Sequence, residues 1–169
     1  MVLDTLSSGD RAQLIELYAR SVMLLHLHRY AQWTELFDPQ VVVQSVRAGA
    51  ATERYTGRDE LLALSHRMAR GEFDLALGHL VPPLLTSHSL SNITLFDERR
   101  GHALGYAFLT VTTVAGADPP RWLASGLYTD HFFKCPAGCW RFVRRVLQTD
   151  AKHSCDAAST LANTVAQSL

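Results

Sequence analysis

Residues 120–149 read "PRWLASGLYTDHFFKCPAGCWRFVRRVLQT", and the way this stretch folds decides the architecture. Aromatic and branched residues alternate with polar ones on both sides of "CPAG", as in strands that turn one face to a core. "CPAG" itself is turn-like, so the two halves read as long antiparallel strands joined by a tight loop. Upstream, "LTSHSLSNITLF" (85–96) and "HALGYAFLTVTTVA" (102–115) have the same character, with "DERRG" and "GADPP" as the joins. Four such strands in succession make an antiparallel meander. Gly105 and Gly126 lie inside the strands and point to a sheet bent enough to wrap a cavity.

The first half of the chain carries helical patterns. Ser7 followed by Asp10 is a capping signal, and Leu14, Leu17, Tyr18, Ser21, Val22 and Leu25 recur at helical spacing. A short helix over "YAQWTELF" (30–37) stops at Asp38-Pro39, since a proline disfavours helix in the residue before it. "VVVQSV" (41–46) is strand-like by its β-branched run. "YTGRDELLALSHRMARG" (55–71) reads as a third helix, capped by Thr56 with Asp59 three residues on and closed by Gly71. The expected order is helix, helix, strand, helix and four strands: an α+β domain over residues 1–150 with helices on one face of the sheet. Residues 151–169, small and polar, read as a C-terminal tail, a loose helix or arm.

At 169 residues, 47% apolar and 19% charged, the chain has the mix of one globular domain. Lys+Arg and Asp+Glu number 16 each, so no net field favours nucleic acid or an acidic membrane surface as partner. No stretch reaches the roughly 18 apolar residues of a membrane helix, and the N-terminus, with its early Asp4, does not look like a secretory signal. A cytoplasmic protein is expected. Three cysteines, an odd number, suggest free thiols. Cys135 and Cys139, with His153 and Cys155 downstream, have spacing a zinc site could use, but a three-residue hairpin loop is the simpler reading. No metal and no cofactor are expected.

The ordered segments "ELYAR", "YAQWTELFDP", "YTGRDEL", "SHSLSNITLF", "GYAFLTV", "LYTDHFFK" and "CWRFVRR" together resemble the SnoaL-like branch of the nuclear transport factor 2-like superfamily, the branch of the scytalone dehydratase-like enzymes. The resemblance spans roughly residues 8–150. It implies a cone-shaped, curved antiparallel sheet covered by the N-terminal helices (a cystatin-like α+β barrel), with a mostly apolar pocket. Dehydratase-type members place an aspartate near the end of the first helix. By alignment His26 takes that seat here, looking in while His28 looks out. The family histidine at the start of a long strand is kept as His88, whereas a second pocket histidine aligns near Thr113 and is missing.

These residues define a candidate site. His88 and His26 would serve as general base and acid, since an imidazole can take and return a proton near neutral pH. The plainer readings are a histidine satisfied by a neighbouring hydroxyl for His88 and a helix-end histidine on terminal carbonyls for His26. Tyr128 and Asp130, on one strand face, could steady an oxyanion and orient a histidine, or be a packed aromatic beside a solvent-facing charge. Tyr18, Val22, Trp33, Asn92, Tyr106 and Phe108 are the expected substrate contacts, with Asn92 placed on His88's strand face by counting in twos. Arg141 and Arg145 fall on one face of their strand and Arg144 on the other, as on a solvated or subunit-facing surface.

The leading expectation is a cofactor-independent lyase, dehydratase or isomerase that moves a proton on a small apolar, aromatic or polycyclic molecule. The alternative is a noncatalytic subunit or binding module, like the β subunits of ring-hydroxylating dioxygenases. A homodimer or homotrimer is expected, with apolar residues of "SLSNI" and "FVRRV" on the outer sheet face.

Overall fold

A computed structural model describes residues 6–47, 52–72, 76, 86–113, 119 and 121–149. The tail over 151–169 and the loop histidine His79 lie outside these residues. The elements are α1 (Ser8–His26), α2 (Tyr30–Thr34), β1 (Phe37–Arg47), β2 (Glu53–Thr56), α3 (Gly57–Ala69), β3 (Thr86–Arg99), β4 (His102–Thr113), β5 (Arg121–Lys134) and β6 (Trp140–Thr149). They form the expected α+β arrangement, a curved and unclosed six-stranded sheet in the order β2-β1-β6-β5-β4-β3. The meander β3 to β6 is antiparallel throughout. Three features depart from expectation. The second helix ends at Thr34, and Phe37 and Asp38-Pro39 already belong to β1. Glu53–Thr56 is a strand paired with β1 rather than the lead-in to a helix, and β1 lies parallel to β6. A parallel neighbour needs a long crossover, and here α3 and the rest of the meander supply it.

The helix starts follow from their polar residues. Ser7 caps α1, its Oγ accepting from the Asp10 N–H at 3.1 Å while donating to the Asp10 carboxylate at 2.7 Å. That carboxylate also accepts from Lys134 Nζ at 2.7 Å and Trp140 Nε1 at 2.9 Å, which ties the start of α1 to the β5–β6 hairpin. The bonds from Lys134, Ser7 and Trp140 hold the Asp10 pKa down at about 2. α3 is capped differently from the expected pattern. Thr56 occupies the N-cap without a side-chain bond, and its N–H donates to the Glu60 carboxylate.

One face of the sheet meets the helices. Val41, Val43, Leu95, Leu109, Val111, Phe132, Phe142 and Leu147 from the strands close against Leu14, Leu17, Leu25, Leu61 and Leu64 from the helices, all buried. Gly105 must be glycine for this contact. An added Cβ there would sit 2.6 Å from the Tyr18 hydroxyl and 2.8 Å from the Phe132 ring.

Two bulges change which side chains face this core. In β6, Phe142 pairs with Phe132 but Arg144 pairs with His131, leaving Val143 as an extra residue. The alternation slips by one, so Trp140 and Phe142 point inward before the bulge and Arg145, Leu147 and Thr149 after it. Arg141 and Arg145 therefore do not share a face, and Arg145 is buried rather than solvated. In β3, Ser91 pairs with Phe108 and Thr94 with Tyr106, so Asn92 and Ile93 together oppose one residue. Asn92, at φ 52°, absorbs the kink and is exposed, off the face that carries His88.

Cys135 and Cys139 are joined in a disulfide, which corrects the expectation of free thiols for this pair. The loop "PAG" explains it. Gly138, at φ 86°, lets three residues close the hairpin and brings the two Cα atoms to 5.5 Å. Among the described residues no cluster of His, Cys, Asp and Glu could hold a metal ion, and no helix is long and apolar enough to cross a membrane.

Candidate functional site

The helix α1 presents Ile15, Ala19, Val22, Met23 and His26 along one side, spaced by three and four residues. That side faces the first half of β3. There His88 pairs with Val111, a fully buried residue, and so belongs to the inner face of the sheet. His26 and His88 line one groove of about 360 Å³, together with the apolar side chains of α1 and with Ser87, Leu90 and Ile93 of β3. Its size suits a small organic molecule. His88 is half-buried and His26, the last residue of α1, is exposed. The two histidines thus line an open cleft, not a closed chamber. His28 looks away, its Nδ1 at 2.9 Å from the Tyr30 hydroxyl.

Four of the expected site residues lie elsewhere, in a sealed polar centre of the core. Asp130 on β5 and Arg145 on β6 face each other and pair through two bonds, Nε to Oδ1 at 2.8 Å and Nη2 to Oδ2 at 2.9 Å. The Asp130 side chain is 0% exposed and that of Arg145 is 2%. The guanidinium lies between two rings, with its Cζ 4.2 Å from the Tyr128 centroid and 4.1 Å from that of Phe142. Arg145 Nη1 also donates to Ser21 Oγ at 3.1 Å, and Trp33 Nε1 donates to the same oxygen at 3.2 Å. Burial opposes the charge on Arg145, but the Asp130 carboxylate outweighs it and holds the guanidinium pKa above its ordinary value.

Tyr18 completes this centre. Its ring packs edge-on against Phe132 and Phe142, and its buried hydroxyl has no hydrogen-bond partner among the described residues. Burial, reinforced by the Asp130 charge, pushes its pKa far above the usual phenol range, so it stays protonated. Tyr18, Trp33, Tyr128 and Asp130 do not line the α1/β3 groove. They hold the inner sheet against α1 and α2. Sequence patterning missed Arg145 as a member of this set because the β6 bulge moves it to the inner face. A cation among aromatic residues opposite Tyr128-x-Asp130 was the available signal.

The remaining expected contacts fall outside the groove as well. Tyr106 and Phe108 lie on the outer face of β4, opposite Thr129 and Leu127. Phe108 is 51% exposed, and Tyr106 packs against Phe96 at 6.1 Å. Their positions one residue off the buried Ala107 and Leu109 account for this. Of the expected set, His26, His88 and Val22 come together.

Residues 7–146 match the family described as the SnoaL-like domain. No curated protein matches the chain by sequence. Among solved structures, an NTF2-like protein with a cystatin-like fold from Novosphingobium aromaticivorans is 23% identical, with 83% of this chain and 81% of that chain covered and a TM-score of 0.63. A candidate scytalone dehydratase from the same organism is 22% identical over 83% of this chain and 84% of that one, with a TM-score of 0.63. The β subunit of a candidate aromatic-ring-hydroxylating dioxygenase, again from Novosphingobium aromaticivorans, is 16% identical over 85% and 92%, with a TM-score of 0.68. At such identities the likeness carries the fold alone.

Proposed function

This chain belongs to the SnoaL-like domain family, and on that footing we propose that it is an acid/base enzyme acting on a small apolar, aromatic or polycyclic molecule held in the α1/β3 groove. The observation that carries the reading is the convergence of His26 and His88 on one groove whose other walls are largely apolar. Apolar walls hold a ring system, and two imidazoles on different elements can act on two positions of it. The half-buried His88 takes a proton from a carbon next to a carbonyl. His26, at the open edge, gives one to the carbonyl oxygen. The product is an enol. As His26 takes back the proton of its hydroxyl, the enol either accepts the His88 proton at another carbon, an isomerase outcome, or expels a neighbouring hydroxyl, which takes the His88 proton and leaves as water, a lyase outcome.

Solvent deuterium exchange tests this step without the natural substrate. A panel of aromatic and polycyclic ketones is incubated with the protein in D₂O, and incorporation next to the carbonyl is followed by NMR. Exchange above background is expected for at least one ketone, with a fall of at least about tenfold in His88→Ala, because one general acid or base is worth about 10² to 10⁴ in rate. Exchange unchanged in His88→Ala removes His88 from the mechanism.

A second reading is a noncatalytic subunit, and the filled core favours it. Tyr18, Trp33, Phe37, Phe132, Phe142 and the Asp130–Arg145 pair occupy the space between the helices and the sheet. In either reading a second copy of the chain is the natural partner for the outer sheet face, where Phe96 and Phe108 are half-exposed. A dimer or trimer fits this surface. Sedimentation of Phe108→Asp against the parent measures it, with loss of the oligomer as the expected result.

A further inference from the structure

The "CPAGC" hairpin at 135–139 has chemistry that the α1/β3 groove does not use. Its two cysteines form a disulfide at the tip of the β5–β6 hairpin, and Cys139 is exposed. The loop keeps its shape through the backbone. The Cys135 N–H donates to the Cys139 carbonyl at 2.8 Å, and the Gly138 N–H donates to the Cys135 carbonyl at 2.8 Å. Opening the S–S bond therefore leaves both sulfurs on a preformed turn, ready to close again. Cys139 also forms part of the wall of a second groove, of about 430 Å³, between α1, α2 and the hairpin. Leu17 and Trp140 give that groove apolar surface, Arg20 and Arg141 bring positive charge, and Glu35 brings negative charge.

We propose that this groove is a thiol–disulfide exchange site for a small amino-acid-like thiol, one bearing a carboxylate and an ammonium group. Arg20 and Arg141 face its carboxylate, Glu35 faces its ammonium, and its sulfur is delivered to Cys139. The thiolate attacks Cys139 Sγ, the protein S–S bond breaks, and the electron pair leaves on Cys135 Sγ. A second thiolate then attacks the small-molecule sulfur of the mixed disulfide, releasing Cys139 as thiolate and the small molecule as its own disulfide. Two thiols are oxidised and one protein disulfide is reduced, and the reverse sequence recloses the hairpin.

The test uses the full chain carrying Cys155→Ser, so that only the hairpin pair reacts. Reduced glutathione, 2-mercaptoethanol and cysteamine are compared at equal thiolate concentration, with quenching by iodoacetamide and mass spectrometry of the peptides. Glutathione is expected to react about tenfold faster than cysteamine, to give a mixed disulfide on Cys139, and to leave the far-UV circular dichroism unchanged. Arg20→Gln should remove about threefold of that preference, the scale of one exposed ion pair. Equal rates for the three thiols, an undiminished preference in Arg20→Gln, or a pair that is reduced only in denaturant would each overturn the proposal.

Discussion

Asp130→Asn removes the charge from one side of the buried pair at almost no change in volume. Arg145 remains a cation, since a guanidinium keeps its proton even when buried in a protein. The change leaves that cation 2% exposed and facing a neutral amide in place of a bidentate carboxylate. Breaking a buried pair from one side costs about 3–5 kcal/mol. The rings of Tyr128 and Phe142, 4.2 and 4.1 Å from Arg145 Cζ, still face the charge and offset about 1 kcal/mol of this. A net loss of about 2–4 kcal/mol is a large share of the roughly 5–15 kcal/mol that holds a domain folded. In urea, with a slope of about 2 kcal/mol/M, the midpoint should fall by about 1–2 M. The double change Asp130→Leu with Arg145→Met removes both charges, and should recover most of the loss because neither ion is then left unpaired. A midpoint for Asp130→Asn within about 0.3 M of the parent, or a double variant less stable than the single one, would refute this view of the core.

Gly105→Ala should cost about 1–3 kcal/mol in the same assay, because the new methyl would overlap the Tyr18 hydroxyl and the Phe132 ring. Acid should weaken the fold through Asp10. Its native pKa is lowered to about 2 from 3.8, so its contribution is complete above the unfolded value and is lost as pH falls through the native one. At this partly exposed position the effect is about 1 kcal/mol, and urea midpoints of Asp10→Asn and the parent should converge toward pH 2. Replacing Cys135 and Cys139 together by Ser should lower stability by no more than about 2 kcal/mol, the chain-entropy value for so short a loop, and the melting temperature measures it.

The order of elements was legible because each carries its own local signal. Ser7 and Asp10 cap α1 as their spacing indicates, and the meander follows from alternation and turn residues. What the sequence hid was the phase of that alternation. A bulge costs one residue and leaves no mark in composition, so alternation alone points Arg145 outward and Asn92 inward, and each does the opposite. Four residues at Glu53–Thr56 are too few to show a period, and their strand exists because β1 offers them an edge. The parallel pairing of β1 with β6 joins elements nearly a hundred residues apart, beyond the reach of any local pattern. For the site, the family alignment points His26 inward at the end of α1, and His26 and Val22 both line the α1/β3 groove. Tyr18 and Trp33 were also placed inward, but the core closes over them, and only packing reveals whether an inward residue meets a ligand or another side chain.

The most direct test of the α1/β3 groove is an NMR measurement on protein with ¹³C-labelled histidine, bound to an aromatic ketone selected by the exchange panel. If the groove is the site, protons of the ketone show nuclear Overhauser contacts to the ring protons of both His26 and His88. A ketone that is bound, yet reaches neither imidazole or touches only the outer face around Phe108, would contradict it.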